Sequence, residues 1–201
     1  MPNTVAAQPT QRANALEPEK IFICNTSNID SMRHGRPETV MFEPDQITGG
    51  NPVPNGIIVE LGKPKLPDHD HVRAVEIKEL DKVAGAFIIV SPEINVEQYR
   101  RIDNSIANHM LVAKETYTAY ELQVRDRIEF SQAYFANPAD AAALTANTEL
   151  GINAQGKLDT AVTAKTLRVV SVREQRKPLM MALGGEKMPE SYMMVKVEVI
   201  L

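Results

Sequence analysis

The 201-residue sequence predicts a mainly β fold, a small antiparallel β-barrel or sandwich with one amphipathic helix and a long extended N-terminal arm. Three observations predict it. Short apolar runs, β-branched or alternating with polar residues, recur between turn residues. One stretch, and no other of comparable length, carries apolar residues at helical spacing. Nine of the thirteen prolines fall within the first 67 residues.

The arm comes first. Pro2, Pro9, Pro18, Pro37, Pro44, Pro52 and Pro54 recur too often for a helix or a paired strand, because each removes a backbone donor and pushes its predecessor toward extended geometry. Residues 1–50 therefore read as an extended Pro-rich arm, with Ile21-Phe22-Ile23-Cys24 as a short strand within it. A solvated tail has no use for Ile21, Phe22, Ile23, Met41 and Phe42, so these are the expected anchors of an arm laid along a partner.

The compact part is expected over 51–201. Asn55-Gly56 signals a turn and launches the strand Ile57-Ile58-Val59-Glu60-Leu61. Val72 to Ile77 alternates, and Ala86 to Val90 reads as a buried strand. Ser91-Pro92-Glu93 is a helix start: a capping hydroxyl, a proline at the first position and an acid at the positive end. Val96, Tyr99, Ile102, Ile106 and Met110 then form one apolar stripe. Strands resume at Tyr120 to Val124 and at Ile128 to Phe130. Residues 133–160 are rich in Ala, Asn, Thr and Gly and read as loop, with one short helix over Pro138 to Ala146. Thr166 to Arg173 and Tyr192 to Leu201 complete the strands, the last with Met193, Val195, Val197, Val199 and Leu201 on one face. The absence of βαβ alternation argues against the common nucleotide-binding folds.

Charge and composition narrow the function. Lys and Arg number 22 against 26 Asp and Glu, a net charge of −4, which argues against a general nucleic-acid binder. A single cysteine, Cys24, excludes an internal disulfide and a multi-cysteine zinc site. No apolar run approaches the ~18 residues of a membrane span, and Met1 to Ala15 lacks the layout of a secretory leader. The chain is expected to be soluble and to need no cleavage.

Few constellations carry chemistry. Asp68-His69-Asp70-His71 brings four potential ligands together, and alternate residues of an extended segment share a face, so His69 and His71 are the metal candidates. The plainer reading is a solvated loop. Cys24 sits in an apolar run and reads as a small buried hydrophobe. Tyr99, Tyr117 and Tyr120 near Arg100, Arg101, Arg125 and Arg127 would be needed for single-strand binding. Met180, Met181, Met188, Met193 and Met194 read equally as core filler or as a compliant contact surface. No catalytic residue and no cofactor is expected, and the chain reads as a non-enzyme.

One pattern is familiar. Ile47 to Gly62, with its Asn55-Gly56-Ile57-Ile58-Val59-Glu60-Leu61-Gly62 core, is followed by Val72-Arg73-Ala74-Val75 and by Ile88-Ile89-Val90-Ser91-Pro92-Glu93. The Tyr99 to Asn108 segment, Arg125 to Ser131, Gly156-Lys157-Leu158 and a closing V-x-V strand come next. This order resembles the head decoration, or capsid cement, proteins of tailed bacteriophages. Arg125 stands where that pattern has glycine, and 133–152 is longer and richer in Ala. The resemblance implies a structural virion protein bound to the outer surface of the major capsid protein, made in the host cytoplasm. It implies self-association as a trimer or dimer, with no membrane and no nucleic-acid partner. The alternatives are another virion component, such as a minor spike or head–tail connector part, and a metal-dependent enzyme using the Asp68–His71 loop.

Overall fold

The computed structural model describes residues 22–30, 37–42, 53–64, 72–90, 110–111, 115–176 and 191–201. Thirteen strands run through them: β1 (Cys24–Asn28), β2 (Pro37–Met41), β3 (Val53–Pro54), β4 (Ile58–Pro64), β5 (Val72–Glu76), β6 (Phe87–Ile89), β7 (Met110–Leu111), β8 (Thr116–Glu121), β9 (Arg127–Ser131), β10 (Glu149–Ile152), β11 (Leu158–Asp159), β12 (Leu167–Arg176) and β13 (Ser191–Val199). Two short 3-10 helices, Gln132–Tyr134 and Pro138–Ala142, follow β9. The fold is mainly β, as the turn-separated apolar runs predict. Among the described residues, no helix is long and apolar enough to cross a membrane.

The strands form a closed five-stranded barrel in the order β2-β5-β4-β6-β8 and a six-stranded sheet in the order β1-β9-β13-β12-β10-β11. The pair β3-β7 forms a separate two-stranded sheet whose Val53 and Leu111 pack into the barrel core. The barrel is not wholly antiparallel. β2 and β5 pair in parallel, Thr39 opposite Val72 and Met41 opposite Ala74. Five is an odd number, so strand direction cannot alternate all the way round a closed ring, and one neighbouring pair must be parallel. The sheet is antiparallel throughout and curls on itself, with Phe135 bridging to Leu158 next to its far edge.

There are two cores, and they share a wall. Val40, Phe42, Val59, Val75, Ile89 and Tyr117 fill the barrel. Ile128, Phe130, Leu150, Leu167, Val195 and Val197 line the concave side of the sheet. Ile58 and Ile88 belong to this second core, although Val59 and Ile89 beside them point into the barrel. β4 and β6 are thus apolar on both faces, which is why Ile57-Ile58-Val59 and Phe87-Ile88-Ile89 read as unbroken apolar runs.

The Asn55–Gly56 turn joins the two halves. Tyr134 is buried, and its hydroxyl donates to the Asn55 carbonyl. Gly56 has φ 95° and packs so closely that a Cβ would stand 2.6 Å from Cys24 Cβ. Asp126 ties the opposite end. Its carboxylate accepts from Asp30 N and Gln123 N, both at 2.8 Å, while its carbonyl accepts from Val199 N at 2.9 Å.

The N-terminal arm requires correction wherever it is described. β1 pairs with β9, and Ile23 extends the pairing through Ser131. β2 closes the barrel between β5 and β8. Residues 22–30 and 37–42 are structural strands of the body, so the expected boundary at 50/51 does not separate an arm from a fold. The 133–160 segment is also more than loop, since β10 and β11 form a hairpin whose Leu150, Ile152 and Leu158 are core. Residues 91–109, which carry nearly all of the predicted amphipathic helix, lie outside the described residues. Met110, the last member of its stripe, opens β7.

Candidate functional site

The convex face of the six-stranded sheet gathers the charged side chains whose geometry is best defined. Val195, Val197 and Val199 of β13 point into the core, so Lys196 and Glu198 point outward. Register sets Glu198 between Arg127 of β9 and Arg168 of β12, and sets Lys196 opposite Glu129. Glu198 accepts from Arg127 Nε and from Arg168 Nη2, each at 2.8 Å. Arg173 reaches diagonally across β13 and grips Glu129 with both ends of its guanidinium, at 2.7 and 2.9 Å.

Electrostatics follow the geometry. The hydrogen bonds from Arg127 and Arg168 hold the Glu198 carboxyl below its usual range. The hydrogen bond to Glu129 raises the Arg173 guanidinium further. The carboxylates are largely covered, with side chains 13% and 11% exposed, whereas Arg127, Arg168 and Arg173 are about half exposed, at 49%, 44% and 55%. The arginines therefore neutralise the buried acids and still present their outer edges to solvent. Such a surface offers charge and hydrogen bonding to a partner.

The depression lined by Phe22, Cys24, Thr26, Asn55, Gly56 and Val90 has a volume of about 20 Å³, room for a water and far below the ~300 Å³ of a small-molecule pocket. Burial pushes the Cys24 thiol well above its ordinary range, so it is protonated at neutral pH.

The residues expected to carry function are distributed otherwise than the arm reading predicts. Phe42 is fully buried in the barrel and stacks edge-on against Tyr117 at 6.1 Å. Phe22 packs edge-on against Tyr134 at 5.2 Å, and Ile23 and Met41 are half-buried. The described anchors are thus occupied within their own chain and are not a free clamp. Ile21 lies outside the described residues, as do His69 and His71. Among the described residues, no group of three or more His, Cys, Asp or Glu side chains could hold a metal ion. The aromatic platform needed for single-strand binding is not formed by Tyr117 and Tyr120: Tyr117 is in the barrel core, and Tyr120 packs against the other core. Tyr99 lies outside the described residues. Met193 flanks the sheet core and Met194 is buried on the opposite face, while Met180, Met181 and Met188 lie outside the described residues.

Sequence reasoning passed over the charged face. Arg127-x-Glu129 and Lys196-x-Glu198 do alternate as strand residues do, but only the β9-β13-β12 register brings Arg168 and Arg173 onto the same patch. Compared with known proteins, the chain matches no family model, no curated protein and no solved structure.

Proposed function

We propose that this chain is a structural virion protein that binds the outer surface of a phage major capsid lattice and stabilises the head. One observation carries the reading. The two glycine motifs of the decoration-protein pattern, Asn55-Gly56 and Gly156-Lys157-Leu158, fall at turns with positive φ, 95° and 72°, that introduce β4 and β11. These turns support the reading, since each uses a backbone conformation that glycine adopts without strain. Arg127 to Ser131 and the closing V-x-V segment, two further parts of the pattern, are neighbouring strands of one sheet.

A capsid role fits the broad sheet face that the described residues offer. The contact would be made by assembled neighbouring subunits together, and binding to the assembled lattice in preference to loose subunits stabilises the shell by linkage. The structure of β1 and β2 moves the search for the contact away from Phe22, Met41 and Phe42 and toward solvated surface. Co-sedimentation with intact empty heads, against disassembled capsid subunits, tests the reading. Saturable binding to heads and little to loose subunits is expected. Equal binding to both, or none to heads, overturns it. Binding at a few copies per head would instead indicate a connector or spike component.

A further inference from the structure

The seam between the sheet and the barrel gathers polar groups around one small depression. Cys24 and Thr26, alternate residues of β1, both line it. Asn55 and Gly56, from the turn ahead of β4, form another wall, and Phe22 and Val90 complete the lining. Thr26 is only 9% exposed, and no hydrogen bond within the described residues uses its hydroxyl. The neighbouring backbone is tied down. Gly56 N donates to Ile89 O at 2.7 Å, and the Asn55 carbonyl accepts from the buried Tyr134 hydroxyl. The depression therefore has fixed walls and, in its lining, a buried hydroxyl that the described residues leave without a partner.

Size and charge choose the ligand. About 20 Å³ exceeds the ~10–15 Å³ that one water needs and admits nothing much larger. All six lining residues are uncharged, and burial keeps the Cys24 thiol protonated, so the walls hold no charge that would favour an ion. An apolar hollow of this size stays dry, but a buried hydroxyl without a partner is unfavourable, and a water satisfies it. We infer that the depression is a binding site for one ordered water molecule, anchored on the Thr26 hydroxyl and bridging β1 to the Asn55–Gly56 turn. A hydroxyl both donates and accepts, the Cys24 S–H is a weak donor, and backbone carbonyl oxygens carry two lone pairs each. The two to four partners that a buried water uses are thus at hand. The water joins the edge strand of the sheet to the turn that introduces β4, beside the direct link made by Tyr134. The site belongs to the isolated chain, whether or not that chain binds a head.

The test is a high-resolution crystal structure of the full chain and of two variants. In the parent chain, a single density peak should stand about 2.7–3.2 Å from Thr26 Oγ1. Thr26→Ser keeps the hydroxyl and should keep the peak. Thr26→Val keeps the shape and should lose it. Amide hydrogen exchange gives a second readout in solution. Exchange of the Gly56 amide should be about tenfold faster in Thr26→Val than in the parent, as expected for the loss of one bridge of ordinary strength, and unchanged in Thr26→Ser. No peak in the parent overturns the inference, as does a peak that survives in Thr26→Val. A peak with the anomalous scattering of a metal ion overturns the choice of water. Equal exchange in all three chains overturns the bridge between strand and turn. Should Thr26→Val fail to fold, the parent and Thr26→Ser densities decide the site.

Discussion

At the scale of single residues, buried polar groups and tight glycines dominate. Thr166 is fully buried and its hydroxyl has no hydrogen-bond partner among the described residues, although its backbone bonds to Leu150 and Ile200. An unsatisfied hydroxyl costs about 1–3 kcal/mol. Thr166→Val keeps the shape and removes the group, so it should leave stability unchanged or raise it by about 1 kcal/mol in urea unfolding. Gly56→Ala should do the reverse. It forces a positive φ on a residue with a Cβ, and it drives that Cβ against Cys24 and the Tyr134 hydroxyl. A loss of roughly 3 kcal/mol or more is expected from strain and overpacking together, read by the same unfolding curves. Glu198 gives a pH signature. Its carboxyl is held below the ordinary ~4.3 by Arg127 and Arg168, so its contribution is present above that value and is lost as pH falls through the lowered folded value. Glu198→Gln should therefore be less stable near neutrality, with a shallower decline on acidification, in melts taken from pH 7 down to pH 3.

At the scale of elements, β2 shows how far the sequence speaks. Of Pro37-Glu38-Thr39-Val40-Met41, only Val40 is buried, so the strand has no alternation to detect. Its proline sits at the first strand position, where a missing N–H is tolerated. Pro54 and Pro64 likewise fall at strand ends. The described prolines of this stretch thus sit at the ends of short strands. The strands that were legible are those with β-branched runs or clean alternation: β4, β5, β6, β9, β12 and β13. β10 and β11 were hidden because Leu150, Ile152 and Leu158 are spread among small residues, and Asn153 makes their turn by accepting from Gln155 N and Lys157 N at 3.0 Å. The charged sheet face was half legible, as alternation within strands but not as register between them. Because β2 closes the barrel, deleting residues 1–45 should abolish the cooperative thermal transition and the dispersed amide NMR spectrum. A deletion that keeps both would mean that the barrel closes without β2.

At the scale of the whole molecule, two cores back onto a shared wall of β4, β6 and β8. In the proposed role, head stabilisation would come from linkage, since each bound copy would have to be lost before the lattice beneath it came apart. The central claim is that the protein belongs to the virion as a repeated surface component. The most direct measurement is its copy number in purified virions by quantitative mass spectrometry against the major capsid protein. A fixed stoichiometry of hundreds of copies per head is predicted, and absence from purified virions would contradict it.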